Sequence, residues 1–319
     1  YYTAYDTDEF TTPEEQGVKE VVDITKYMDI NGNLIWKAPK GNWKILRIGY
    51  NLTGHENAPV TRDEQGLEVD KMDSAAVKTY IEHYLYLFQE ASGNRLGKDG
   101  VSYLLNDSYE AGQNTWTETL PEEFEKRRGY SLWKYLPVLT GITVDNTDKS
   151  EAFLWDWRKT IGELVVENYY EQLDKALKKH GMKRYSESHE NGRVYLADGM
   201  EVKRHADIPM GAMWIPKYNF GTSQKIGEAD IRESASVAHL YGQKYIAGES
   251  FTTIGMNDAY AFGPSELRPT ADLEFASGLN RIVIHESAHQ AVETVPGITM
   301  SAIGTWFNRH ITWADQAKA

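Results

Sequence analysis

The chain has no cysteine among its 319 residues, which excludes disulfides, thiolate metal sites and a cysteine nucleophile. It has no run of about 18 apolar residues of the kind that spans a bilayer, so membrane insertion is not expected. Positive charge is also short: Lys and Arg total 34 against 47 Asp and Glu, for a net charge of −13. That balance repels nucleic acid and acidic membrane surfaces, and it points to a neutral or small partner. The opening residues, Tyr1-Tyr2-Thr3-Ala4-Tyr5-Asp6, lack a charged segment followed by an apolar one. We expect a piece of a longer polypeptide, in which case the lack of a signal peptide says nothing about secretion.

What is present is ordinary globular material, 41% hydrophobic and 25% charged, long enough for one large α/β domain or two smaller ones. Aromatic residues are plentiful, with nine Trp and twenty Tyr. Flat rings beside carboxylates suit sugar faces, although most buried aromatics simply pack.

The chain reads in two zones. Over residues 15 to 50, short alternating runs such as Trp43-Lys44-Ile45-Leu46-Arg47-Ile48 are split by the turns Asn31-Gly32-Asn33 and Pro39-Lys40-Gly41. This predicts antiparallel strands. From Ser74 the period changes: Val77, Ile81, Tyr84, Leu85 and Phe88 mark a helix behind a Ser cap. A longer helix of roughly 30 residues is expected behind an Asp148–Glu151 capping pair, with Phe153, Leu154, Trp157, Ile161, Leu164, Val165, Leu173 and Leu177 as its stripe and Gly181 as its stop. Strands are predicted before Glu110, over Lys183–Glu187, Ile208–Met213, Tyr245–Glu249 and Arg281–His285, separated by helices or long loops. A parallel sheet with right-handed crossovers follows, open or closed into a barrel. Five strands are too few for an eight-stranded barrel, so either earlier strands lie upstream or the sheet is smaller and open.

Among the runs that end in a glutamate, those at Glu110 and Glu249 stand out. Carboxylates at the carboxyl ends of strands sit where barrel enzymes place their chemistry, and cleavage of a glycosidic bond needs two of them. The pair points to a glycoside hydrolase. The alternative for any single strand-end acid is a helix cap.

Short blocks in order along the chain carry a resemblance: Asp107-Ser108-Tyr109-Glu110, Arg127-Arg128-Gly129-Tyr130, Phe153-Leu154-Trp155-Asp156, Asp207-Ile208-Pro209-Met210-Gly211, Ala238-His239-Leu240-Tyr241-Gly242, Gly248-Glu249-Ser250-Phe251-Thr252 and His285-Glu286-Ser287-Ala288-His289-Gln290. Together they resemble glycoside hydrolase family 106, the α-L-rhamnosidases. The resemblance implies a (β/α)8 catalytic barrel, incomplete in this chain, formed by residues 56–319 behind a β-rich accessory segment over residues 1–55. It also implies an inverting mechanism, a calcium requirement, a carbohydrate substrate in plant or microbial polysaccharide side chains and a periplasmic or extracellular location. Carried over by block, Glu110 resembles the family's general acid and Glu249 its general base. Where the family commonly has Gly-Glu-Phe-Trp, this chain has Gly211-Ala212-Met213-Trp214, so a pocket carboxylate is missing and a degenerate carbohydrate-binding homologue becomes an alternative.

Further candidates for the sugar pocket are Asp107, Trp116, Glu187, Asp207, Trp214, His285 and His289, with His189 and Glu190 beside them and Asp70–Lys71 as a pocket-edge pair. Asp107 has a second role open to it, raising the pKa of Glu110 or binding a metal. The metal ligands themselves are not legible. His285-Glu286-Ser287-Ala288-His289 also satisfies H-E-x-x-H, the zinc peptidase pattern, which requires both histidines on one helical face. The β-branched run Ile282-Val283-Ile284 leads into it as a strand instead, and no third ligand follows.

Overall fold

A computed structural model describes residues 17–58, 60–189, 196–215, 224–253, 260–295, 297–298 and 307–317. Glu190 and the first residues, read above, lie outside them.

Five strands form one sheet: β1 (Tyr103–Asn106), β2 (Lys183–Ser186), β3 (Ile208–Met213), β4 (Ala247–Ser250) and β5 (Arg281–Ile284). All neighbours are parallel and the spatial order is the chain order. Helix α1 (Ser74–Ala91) precedes β1, and α2 (Leu120–Arg128), α3 (Thr147–Val165), α4 (Glu171–Lys179), α5 (Gly199–Arg204), α6 (Gln224–Tyr241) and α7 (Pro264–Ala276) bridge the gaps. A doubly wound sheet reverses its strand order partway. Here the winding never reverses, and the sheet curls into a half-barrel. Eight strands are not present among the described residues.

The strands are short; the central β3 and β4 are buried on both faces, while β1 and β5 at the sheet edges are partly exposed. Ile208, Met210 and Ala247 pack together on the inner face with Tyr185 and Val283. Met213 turns outward onto Ile231 of α6 and Leu279. Gly248 is confined on that outer side, since a Cβ there would stand 2.4 Å from Leu279 Cδ1 and 2.8 Å from Ile231 Cδ1. Glycine therefore lets helix and strand approach closely.

The helices form where the spacing predicts, with different caps. Asp73, not Ser74, caps α1 by accepting from the N–H groups of Ala75 and Ala76, and Val77, Ile81 and Leu85 are buried beneath it. Asn146, not Asp148, caps α3 by accepting from Lys149 N at 2.9 Å. In each case the polar residue one or two positions earlier has the extended backbone that a cap needs. The long helix runs from Thr147 to Lys179 with one wider π turn at Val166–Tyr170, and Gly181 follows at φ +66°. Its predicted stripe is buried throughout.

The antiparallel strands expected over residues 15 to 50 reduce to isolated bridges, Met28 with Leu34 across the Asn31-Gly32 turn and Val18 with Val144. Ile45, Ile48 and Leu52 are exposed. Alternation without a pairing neighbour does not make a ladder.

Candidate active site

Parallel strands bring their carboxyl ends to one edge of the sheet, and that edge collects the acids. Asp107 follows β1, Glu187 follows β2 and Glu249 lies in the last half of β4. One carboxylate oxygen from each lies within 4.8 Å of the others, making these three the one group of possible metal-holding side chains among the described residues. Glu187 and Glu249 are buried, while Asp107 is exposed.

Strand alternation aims Glu249 inward. It shares the face of Ala247, whereas Gly248 faces the helices. Burial pushes the Glu249 carboxyl above the ordinary glutamate range. The hydroxyl of Thr252 and the charge of His285 pull it back, Asp107 adds to the rise, and the Trp214 side chain favours the ionised form. Phe251 sits at φ +70°, a left-handed conformation rare for a bulky side chain. That turn folds Thr252 back so that its Oγ1 donates to Glu249 Oε1 at 2.5 Å. Thr252 was not singled out from sequence; its only signal is its place in the Gly248–Thr252 block. Behind the strand, burial pushes Glu274 of α7 up to about 8, against a smaller opposing effect of the Ser250 hydroxyl.

Glu110 lies beyond β1 on the same loop as Asp107, exposed, and accepts from Ser108 Oγ at 3.0 Å. Ala212 stands in register with Glu249 on the neighbouring strand, and its N–H donates to Asp230 Oδ2 at 2.8 Å. Among the strand-end positions flanking Glu249, this one contributes no carboxylate.

Other candidates separate. Asp207 stands at the amino end of β3, the opposite edge from Glu187 and Glu249, and accepts from Arg184 N at 3.1 Å. An acid before a strand and an acid after one look alike in sequence. Trp116 finds its ring partners in Tyr50, Trp133 and Trp157, packed against the core cluster of α2 and α3. Lys71 pairs with Glu68 at 2.6 Å, while Asp70 accepts from Asn114 Nδ2 at 2.8 Å, so the expected Asp70–Lys71 pair is not made. His189 is buried against the Tyr109 ring. His285 follows β5 beside Glu286, with 3.6 Å between Nε2 and the carboxylate, and His289 is exposed. Residues 285–289 are not helical, so the two histidines do not share a helical face and the zinc peptidase geometry is absent.

An all-oxygen, carboxylate-rich donor set suits a hard cation such as calcium and not zinc, which favours His and Cys. Asp107, Glu187 and Glu249 fit such an ion by chemistry and convergence.

A curled, singly wound α/β half-barrel with buried acids at its strand ends is the arrangement a glycoside hydrolase site requires. Over residues 1–319 the chain matches the family model described as alpha-L-rhamnosidase, and it belongs to glycoside hydrolase family 106. It is similar to the solved rhamnosidase of Novosphingobium sp. PP1Y, with 38% identity and a TM-score of 0.83 over 95% of this chain and 29% of that one. It is also 39% identical over 301 residues to a protein of Formosa agariphila named a putative beta-glucuronidase, a match covering 94% of this chain and 25% of that relative. The chain therefore spans between a quarter and a third of the length of these relatives. No helix among the described residues is long and apolar enough to cross a membrane.

Proposed function

We propose that this chain carries the acid–base centre of an inverting α-L-rhamnosidase that removes rhamnose from plant or microbial polysaccharide side chains outside the cytoplasm. The observation that carries this reading is the inward-facing, buried Glu249 at a strand end, beside Asp107 and Glu187, in a chain of the rhamnosidase family.

In this reading the ionised Glu249 takes a proton from a water that attacks the anomeric carbon, on the face opposite the leaving group. Glu110 gives its proton to the glycosidic oxygen as the bond to the anomeric carbon breaks. Inverting enzymes hold such a pair about 6.5–9.5 Å apart so that the water fits between carboxylate and sugar. Exposure of Glu110 leaves it open to solvent for reprotonation, while burial of Glu249 limits the water that reaches it to the molecule it activates. Asp107 and Glu187 would hold calcium together with Glu249. Bound there, calcium would supply positive charge that orients sugar hydroxyls and offsets the clustered carboxylates.

Two observations favour second readings. The name of the Formosa relative puts an acidic sugar in play, and Ala212 beside Glu249 leaves room for a carbohydrate-binding homologue without turnover. Assay of the full-length polypeptide on aryl α-L-rhamnoside and aryl β-D-glucuronide, with calcium and with a chelator, separates them. We expect turnover of the rhamnoside alone, lost on chelation and restored by calcium. Turnover of the glucuronide, or sugar binding with no hydrolysis of either, overturns the assignment.

A further inference from the structure

Tyr109 stands between the two acids of the β1 loop and the β2 loop, and its surroundings are unusually complete. The ladder between β1 and β2 continues past both strand ends: Glu187 N donates to Asn106 O at 2.9 Å, and Tyr109 N donates to Ser188 O at 3.1 Å. The Tyr109 ring then stacks on His189, centroids 4.5 Å apart and planes 28° apart. Only 7% of Tyr109 and 2% of His189 is exposed, so both rings are packed within the protein. The Lys71 ammonium lies 5.6 Å from the Tyr109 centroid and 5.1 Å from that of Tyr169, held by Glu68.

Each of these contacts joins the loop of Asp107 and Glu110 to the loop of Glu187, or fixes that junction against the segment around Lys71. Glu110 follows Tyr109 directly, and Glu187 precedes His189 by two residues. Because Glu110 follows Tyr109 directly, the place of its backbone depends on where Tyr109 is anchored.

We propose that Tyr109 and His189 are positioning residues, a buried ring stack that couples the two acid-bearing loops and aims Glu110 at the leaving-group oxygen. This rests on the reading of Glu110 as general acid. The stack gains from aromatic contact and from the cation beside it, and an error of about 1 Å in aim costs on the order of 10²-fold in rate.

The test uses leaving-group dependence in the full-length polypeptide. An alkyl α-L-rhamnoside needs its oxygen protonated, whereas a 2,4-dinitrophenyl α-L-rhamnoside leaves without help. Tyr109→Leu and His189→Leu keep most of the buried volume and remove the ring contact. Each is expected to lower kcat on the alkyl substrate by about 10²-fold while leaving the dinitrophenyl substrate near the parent rate. Tyr109→Phe, which keeps the ring, is expected to behave as the parent on both. The double leucine variant is expected to be no worse than either single one, because the two residues act through one contact. Equal losses on both substrates, with a parent-like unfolding transition, would mean that the stack does not aim the acid, as would unchanged rates on the alkyl substrate. Glu110→Gln serves as the reference. If it shows no leaving-group dependence, the acid assignment itself is wrong and the inference goes with it. If it does and the stack variants do not, the inference alone is overturned.

Discussion

Glu249→Gln lowers kcat on an aryl α-L-rhamnoside by about 10³-fold, within the ~10²–10⁴ range for loss of a positioned acid or base, while KM changes far less. Glutamine keeps the size and the contact with Thr252 but removes the group that accepts the proton of the attacking water. Only the ionised carboxylate takes that proton, so the parent's rate rises with pH through the pKa of Glu249. Burial raises that pKa and calcium bound at the same carboxylate would lower it, so the position of the acid limb of kcat/KM reports which of the two dominates. In the glutamine variant this limb disappears. Steady-state kinetics across pH, with circular dichroism to verify the fold, gives the result. A variant within a few-fold of the parent removes Glu249 from the chemistry.

Asp174→Asn destabilises the folded state by about 3–5 kcal/mol, the cost of stranding one member of a buried ion pair. Arg184 of β2 is fully buried and Asp174 of α4 is 5% exposed, with contacts of 2.7 Å from Nε and 3.0 Å from Nη2. The same guanidinium reaches Asn106 and Ser186, the residues immediately before Asp107 and Glu187. The pair therefore fastens the long helix to the two strand ends that present those acids. Asparagine keeps one acceptor and removes the countercharge, leaving the guanidinium buried and unneutralised. Replacing both partners together, as Asp174→Leu with Arg184→Met, is expected to cost much less because no charge is then buried. Urea unfolding of the single and double variants measures this. A single-variant loss below about 1 kcal/mol would show that water reaches the guanidinium and screens it.

The sheet was legible because short apolar runs between helices read as parallel strands: Ile208–Met213 is apolar and buried throughout, and Arg281–Ile284 carries the β-branched run Ile282-Val283-Ile284. Caps were legible only to within a residue or two. Asp73 and Ser74, like Asn146 and Asp148, are both competent acceptors, and the backbone angle that decides between them is not written in their identity. The segment over residues 15 to 50 shows the limit of alternation, which specifies a strand only when a neighbour pairs with it.

At the site, strand-end position brings Glu187 and Glu249 together with Asp107, while Asp207, which opens the predicted strand Ile208–Met213, lies at the opposite end of the sheet. Trp116 illustrates the odds against any single tryptophan: its indole contributes to a buried aromatic cluster beside α3. The Tyr109–His189 stack was hidden because it joins two loops eighty residues apart in sequence, a contact that depends on register between β1 and β2 and on nothing local. The H-E-x-x-H match failed for the complementary reason, since a spacing carries its chemistry only on the element it was written for.

Proton NMR of the sugar released in the first seconds from an aryl α-L-rhamnoside by the full-length polypeptide tests the two-carboxylate inverting centre most directly. The account predicts that β-L-rhamnose appears first and then mutarotates to the equilibrium mixture. α-L-rhamnose appearing first, or no release of rhamnose by a folded, calcium-supplied protein, would contradict it.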